Sequence, residues 1–161
     1  MQINRKPSRE QGVGNFLCPI RVERGMGATM PHPLVAALDL APHPEGGWFR
    51  ETMRLPAADG GRGLATAILF LLDAGERSHW HRVDAAELWV WNGGNPLTLL
   101  IHHDGRTSEH VIGPDNPQAL VPPHAWQAAE PRDGWALVSC VVVPAFDFAG
   151  FELAPAGWSP E

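Results

Sequence analysis

Apolar residues in this chain fall in short runs separated by glycine- and proline-bearing turns. From Pro31 onward the pattern is regular. PLVAALDL at 33–40 carries proline at its first turn and predicts a short helix. HPEGG at 43–47 is a turn that feeds a strand from Trp48 to Arg54, and AADGGRG then leads to a strand over Leu64–Leu72. Further strands are expected at Glu87–Trp91, Leu97–His102, Ser108–Ile112 and Trp135–Val143, with Asp104-Gly105 marking a hairpin. The longest apolar runs, Ala65–Leu72 and Ala136–Ala145, have the length of buried strands, so no membrane span is predicted. Many short strands with turn signals every ~8–12 residues predict an all-β fold, an antiparallel sandwich or barrel.

Residues 1–29 break this pattern. They hold five basic residues against Glu10 and Glu23, and have neither sustained periodicity nor the apolar core of a signal peptide. Met26 or Met30 is therefore read as the true start, with a natural disordered arm as the alternative. The patterned domain is placed at 30–158.

The 161 residues suit one domain, and 44% hydrophobic against 19% charged residues gives enough apolar surface for a core. The net charge of −6 argues against a nucleic-acid partner bound through a basic surface. Lys6 is the only lysine and tyrosine is absent, which removes Schiff-base chemistry and tyrosine acid catalysis from the patterned domain. Cys18 and Cys140 form no disulfide framework, which fits a reducing cytoplasm, and Cys140 within LVSCVVV reads as a buried structural thiol.

The informative stretch is SHWHRVDAAELWVWNGGNP at 78–96. His79 and His81 are two apart, so a regular strand projects both to one face. Glu87 opens a strand whose Glu87, Trp89 and Trp91 share a face. Two imidazoles and a carboxylate suit a borderline divalent metal, or acid–base work by a histidine held by Glu87. A surface pair of histidines is the plainer alternative. In HPEGGWFRET, Trp48 and Arg50 share one face and Phe49 and Glu51 the other. Glu45 and Arg50 are candidates for binding a ligand there, or for a salt bridge at a dimer contact. Trp80, Trp89, Trp91 and Trp126 cluster around the candidate pocket, where they stack on a ligand or fill the core. His102, His103 and His110 read as an exposed hairpin.

These motifs resemble the cupin superfamily, whose first motif is HxH, then Glu, then Gly after a short strand. The more specific resemblance is to its Cupin_5 family, through PHPEGGWFRET at 42–52, AILFLL at 67–72, SHWHR at 78–82, ELWVWNGG at 87–94, PLTLL at 96–100, LVPPHAWQAAEP at 120–131 and FDFAGFEL at 146–153. The resemblance implies a jelly-roll barrel, dimeric, with a small-molecule pocket between its sheets. The family's activity is largely undefined; the residues themselves suggest an enzyme on a small polar or sugar-like metabolite through His79, His81 and Glu87, with isomerase, lyase and oxygenase chemistry all open. A non-catalytic binding protein is the alternative. The metal set implied is His79, His81, Glu87 and Gln127 around iron, manganese, nickel or zinc, with a metal-free site also open. Glu45, Arg50, Trp89, Trp126 and Gln127 are the substrate-binding candidates. The sequence departs from the superfamily pattern where PxGxxH becomes Pro122-Pro123-His124-Ala125-Trp126-Gln127. Gln127 occupies the ligand position and His124 the turn-glycine position, with His124 expected to point away from the barrel axis. The dimer contact is expected near residues 42–54.

Overall fold

A computed structural model describes residues 30–161; the expectations for residues 1–29 lie outside the described part. A helix α1 (Pro33–Ala37) is followed by strands β1 (Ala41–Pro42), β2 (Trp48–Leu55), β3 (Ala65–Leu72), β4 (Ser78–Val83), β5 (Ala86–Gly94), β6 (Leu97–His103), β7 (Arg106–Ile112), β8 (Gln118–Val121), β9 (Trp126–Pro131) and β10 (Ala136–Val143). A 3-10 turn at Phe148–Gly150 leads into β11 (Phe151–Leu153). Helix α1 is capped by the His32 ring, which accepts from the Leu34 N–H, and Pro33 opens it. It stops three residues short of the predicted Leu40, and Asp39 sits in the left-handed region at φ 52°.

Two antiparallel sheets face each other. One runs β1-β2-β3-β10-β5-β8 and the other β11-β4-β9-β6-β7. This is the predicted all-β jelly-roll barrel. The sequence explains who sits where. β10, with apolar residues at nearly every position, is a central strand flanked by β3 and β5. β7, RTSEHVI, is largely exposed and forms the edge of the second sheet, where charge discourages further pairing. The β6–β7 hairpin turns on Asp104 and Gly105 at φ 50° and 72°, the paired positive values of a type I′ turn.

Between the sheets Phe70, Leu72, Trp89, Leu97, Leu99, Ile112 and Val138 form the main core. It fills one end of the sandwich. The other end stays hollow, and the strap from Pro144 to Gly150 crosses there between β10 and β11. Thr66 accepts the Phe146 N–H at 2.9 Å, while Arg62 and Arg54 donate to the carbonyls of Ala145 and Phe146 at 2.7 and 3.2 Å. Arg62 also makes a two-pronged ion pair with Asp84, at 2.7 Å for each bond, which ties the strap to the β4–β5 turn.

Candidate functional site

The hollow end is a cavity of about 600 Å³. Its inner wall carries His43, Glu45, His81, Glu87 and Cys140, and its outer part Phe49, Glu51, Arg54, Phe146, Asp147, Phe148 and Phe151. His43 and Glu45 come from one turn, His81 from β4, Glu87 from β5 and Cys140 from β10.

Glu45 comes from the His43–Gly47 turn, closed by the His43 N–H to the Gly47 carbonyl at 3.0 Å and the Gly46 N–H to the His43 carbonyl at 3.1 Å. Gly46 and Gly47 both have positive φ, and a side-chain carbon at Gly46 would run into the Arg77 carbonyl. The turn drives the Glu45 carboxyl inward, where it is buried. The Ser78 hydroxyl donates to its Oε1 at 2.8 Å, and its Oε2 lies 3.3 Å from His81 Nε2 and 3.4 Å from His43 Nδ1.

His81 lies on β4 just past a bulge. Ser78 pairs with Ala129 and His81 with Gln127, so three residues on β4 span two on β9. The extra residue breaks the alternation. Ser78 and His81 therefore point the same way, and the predicted pairing of the His79 and His81 rings is not formed. His79 is absent from the cavity wall, and its Nδ1 is buried without a partner. It serves the site through its backbone: its N–H donates to the Glu45 carbonyl at 2.8 Å, and its carbonyl accepts from His81 Nδ1 at 2.8 Å.

That last bond fixes chemistry. A carbonyl only accepts, so the His81 proton sits on Nδ1 and Nε2 faces Glu45. A neutral imidazole and an ionised carboxylate would then oppose lone pairs at 3.3 Å, so one proton lies between them. Burial pushes His81 below its ordinary value, with nearby Glu87 partly opposing it, and pushes Glu45 above its own, with His43 and Ser78 partly opposing that. Both directions favour a protonated Glu45 donating to His81 Nε2.

Glu87 begins the inward face of β5 as predicted. Burial raises its carboxyl too, against the pull of His81; Glu45 adds to the rise, and hydrogen bonds from Gln127 and Cys140 offset part of it. Burial likewise lowers His43 and keeps Cys140 a thiol.

Gln127 is fully buried beside Glu87 but does not present an oxygen to the cavity. The indole N–H of Trp89 donates to Oε1 at 2.9 Å, and Nε2 donates to Glu87 Oε2 at 2.6 Å. Because indole can only donate, the amide orientation is forced. The predicted metal set of His79, His81, Glu87 and Gln127 is thus not assembled: one ring is outside the cavity and the amide oxygen is taken. Among the described residues no three His, Cys, Asp or Glu side chains are placed to hold one metal ion.

Other predicted residues divide similarly. Phe49 and Glu51 face the cavity, which leaves Arg50 exposed on the opposite face of β2, away from any ligand there. Trp89 is core, and acts only by orienting Gln127. Trp126 lies outside the barrel, stacked on Trp158 at 4.5 Å and covered by Arg82, in a cluster with Trp80. His124, in the turn after Pro123 at φ 64°, lines a shallow surface depression with Arg82 and Glu152, as its predicted outward aim requires. Sequence reasoning missed Ser78, His43 and the phenylalanine strap. FDFAGF at 146–151 signalled the strap by its spacing of aromatics, but only the crossover of the chain puts it at the cavity.

The family Cupin_5, described as cupin superfamily (DUF985), matches residues 32–154. Among solved structures, protein SO0799 from Shewanella oneidensis is similar at 37% identity and a TM-score of 0.71, over 75% of this chain and 82% of that one. A hypothetical protein from Leishmania major is similar at 28% identity and a TM-score of 0.66, over 74% and 84%. Oxalate decarboxylase of Bacillus subtilis, described with Mn(II) centres, shares the fold at 15% identity and a TM-score of 0.57, over 72% of this chain and 30% of that one. No curated protein matches the chain significantly. With two facing antiparallel sheets, a hollow end lined by residues of the HPEGG, SHWHR, ELWVW and FDFAGF motifs, and a family match across nearly all the described residues, this chain belongs to the Cupin_5 family of the cupin superfamily.

Proposed function

We propose that the chain is an acid–base enzyme acting on a small molecule held in the cavity, an isomerase or a lyase. The observation that carries this reading is the Glu45–His81 pair, which shares one proton at the cavity wall with the imidazole tautomer fixed from behind. Such a pair can release that proton to a substrate atom and recover one later. Glu87 is the second carboxyl. It is raised by burial, so as a carboxylate it is a stronger base than an exposed glutamate, and its hydrogen bond from Gln127 holds it in place. One carboxyl removing a proton while the pair supplies one elsewhere balances an isomerisation or an elimination without a redox partner. The chain has no tyrosine, so the proton donor in this scheme is Glu45 with His81.

The test is solvent exchange. Incubation with a panel of sugars, polyols and amino alcohols in D2O, followed by proton NMR, is expected to show deuterium entering carbon or conversion of one compound. Glu45→Gln and His81→Gln are expected to lower that rate at least ~100-fold. Binding without exchange or conversion would establish the second reading, a non-catalytic binding cupin. The phenylalanines of the outer half favour that reading, since they offer surface for affinity.

A further inference from the structure

We propose that the cavity selects a small organic cation, an ammonium-bearing molecule whose charged end meets the phenylalanine strap and the carboxyls around it. This rests on the reading of the cavity as a ligand site and names the ligand's class.

The first observation is charge. Four carboxyl side chains line the cavity: Glu45 shares its proton with His81, Glu51 is paired with Arg54, the one guanidinium on the wall, and Glu87 and Asp147 remain, so acidic groups outnumber the cation. That guanidinium is committed: Nε and Nη2 donate to the two oxygens of Glu51 at 2.9 and 2.7 Å, and Nη1 donates to the Phe146 carbonyl at 3.2 Å. A carboxylate or phosphate ligand would find no free cation on the wall and would desolvate beside acidic groups. Asp147 lies near the mouth, where Oδ1 accepts the backbone N–H of Ala149 and Arg54 and Arg62 are its charged neighbours.

The second observation is the strap itself. Phe146, Phe148 and Phe151 have ring centroids 5.0, 5.9 and 6.1 Å apart and interplanar angles of 82°, 64° and 80°. Three steeply inclined rings make an aromatic corner. Ring faces carry negative potential and attract a cation, most strongly one with a weakly hydrated, alkylated surface. Phe148 is 59% exposed although it lines the cavity, an open ring face left for a ligand to cover. Carboxyls inside and an aromatic corner outside complement an alkylated cation better than a polyhydroxylated neutral molecule. A polyol would bury hydroxyls against phenyl rings, where they find no hydrogen-bond partner.

The experiment uses the full chain and three probes: choline, its uncharged isostere 3,3-dimethylbutan-1-ol, and glucose, each titrated by calorimetry and ligand-observed NMR. Choline is expected to bind about tenfold more tightly than the isostere, with glucose weaker than choline. Phe148→Leu and Asp147→Asn are each expected to weaken choline several-fold. Both leave the fold intact, because Phe148 is exposed and asparagine retains the cap. Equal binding of choline and the isostere, stronger binding of glucose, or no choline binding at ~50 mM overturns the proposal. His81→Gln separates it from the acid–base reading: that variant is expected to bind choline within about twofold of the unmodified chain while deuterium exchange is lost. Failure of choline recognition with exchange intact would sink the ligand class alone, and failure of exchange with choline recognition intact would sink the chemistry alone.

Discussion

The Gln127 amide donates to Glu87 Oε2 at 2.6 Å across the gap between the two sheets, from β9 to β5. The same amide accepts the Trp89 indole N–H at 2.9 Å. Its two ends are thus spent on holding a carboxyl and an indole in a fully buried position.

Gln127→Leu should strip both groups of their partner at nearly unchanged volume. Two buried polar groups left unsatisfied cost about 2–4 kcal/mol, read as a lower midpoint in urea. A loss below ~1 kcal/mol would mean that the chain re-pairs them.

Histidines 79 and 81 are expected to separate cleanly. His79 contributes its backbone to the site, so His79→Ala should retain solvent exchange within about threefold. His81→Ala removes the group that shares Glu45's proton and should abolish exchange. Comparable losses in both variants would restore the paired-imidazole site that strand alternation predicts.

The pH dependence of stability has contributions of two signs, from Glu87 with Glu45 raised like it and from His81 with His43 lowered like it. Burial raises Glu87, so the folded state binds more protons than the unfolded one between its ordinary value and the raised one. Its contribution is fully present below pH 4.5 and is lost as pH rises through the folded value. His81 is lowered, so its contribution is present above pH 6.5 and is lost as pH falls through its folded value. Glu87→Gln removes the first effect and retains the acceptor for Gln127. Its urea midpoint should therefore gain on the unmodified chain between pH 5 and pH 8. No change in the difference would show that Glu87 is not raised.

Gly46→Ala is expected to cost more than ~2 kcal/mol and to displace Glu45, because the new carbon meets the Arg77 carbonyl at a positive φ. Thermal unfolding gives the first quantity. Loss of solvent exchange in the surviving folded fraction gives the second. Gly60→Ala, at a positive φ with open space around it, is the comparison that carries backbone strain alone.

The chain is expected to form a homodimer near residues 42–54. β1 pairs only with Trp48 and Phe49 of β2, which leaves 50–55 as an open strand edge ending in the exposed Leu55. Light scattering at micromolar concentration should give twice the chain mass, and amide exchange in 50–55 should slow as concentration rises. A monomeric mass refutes the expectation.

Sequence alone determined most of the longer strands, because alternation and turn chemistry are local. Trp48–Leu55, Ala65–Leu72 and Leu97–His103 each lie within a residue or so of their predicted bounds. It also determined that Phe49 and Glu51 share one face of β2 and that Glu87 opens a face of β5. The period does not say which face of β2 is inward, and Arg50, expected to bind a ligand, lies on the outer one. Short β1, β8 and β11 were not legible, since two, four and three residues give periodicity too little length to register. β9 was not predicted either, because Gln127, Ala128, Ala129 and Glu130 show no apolar alternation. The site was decided by tertiary structure. A bulge in β4 exists only relative to its partner β9, so no count along SHWHR could show that Ser78 would replace His79 beside His81. Gln127 reads as a metal ligand until Trp89 and Glu87 are brought against it from another sheet. The strap of phenylalanines is distant in sequence from Glu45, and joins it only because two sheets must close over one end of a barrel that the core leaves unfilled.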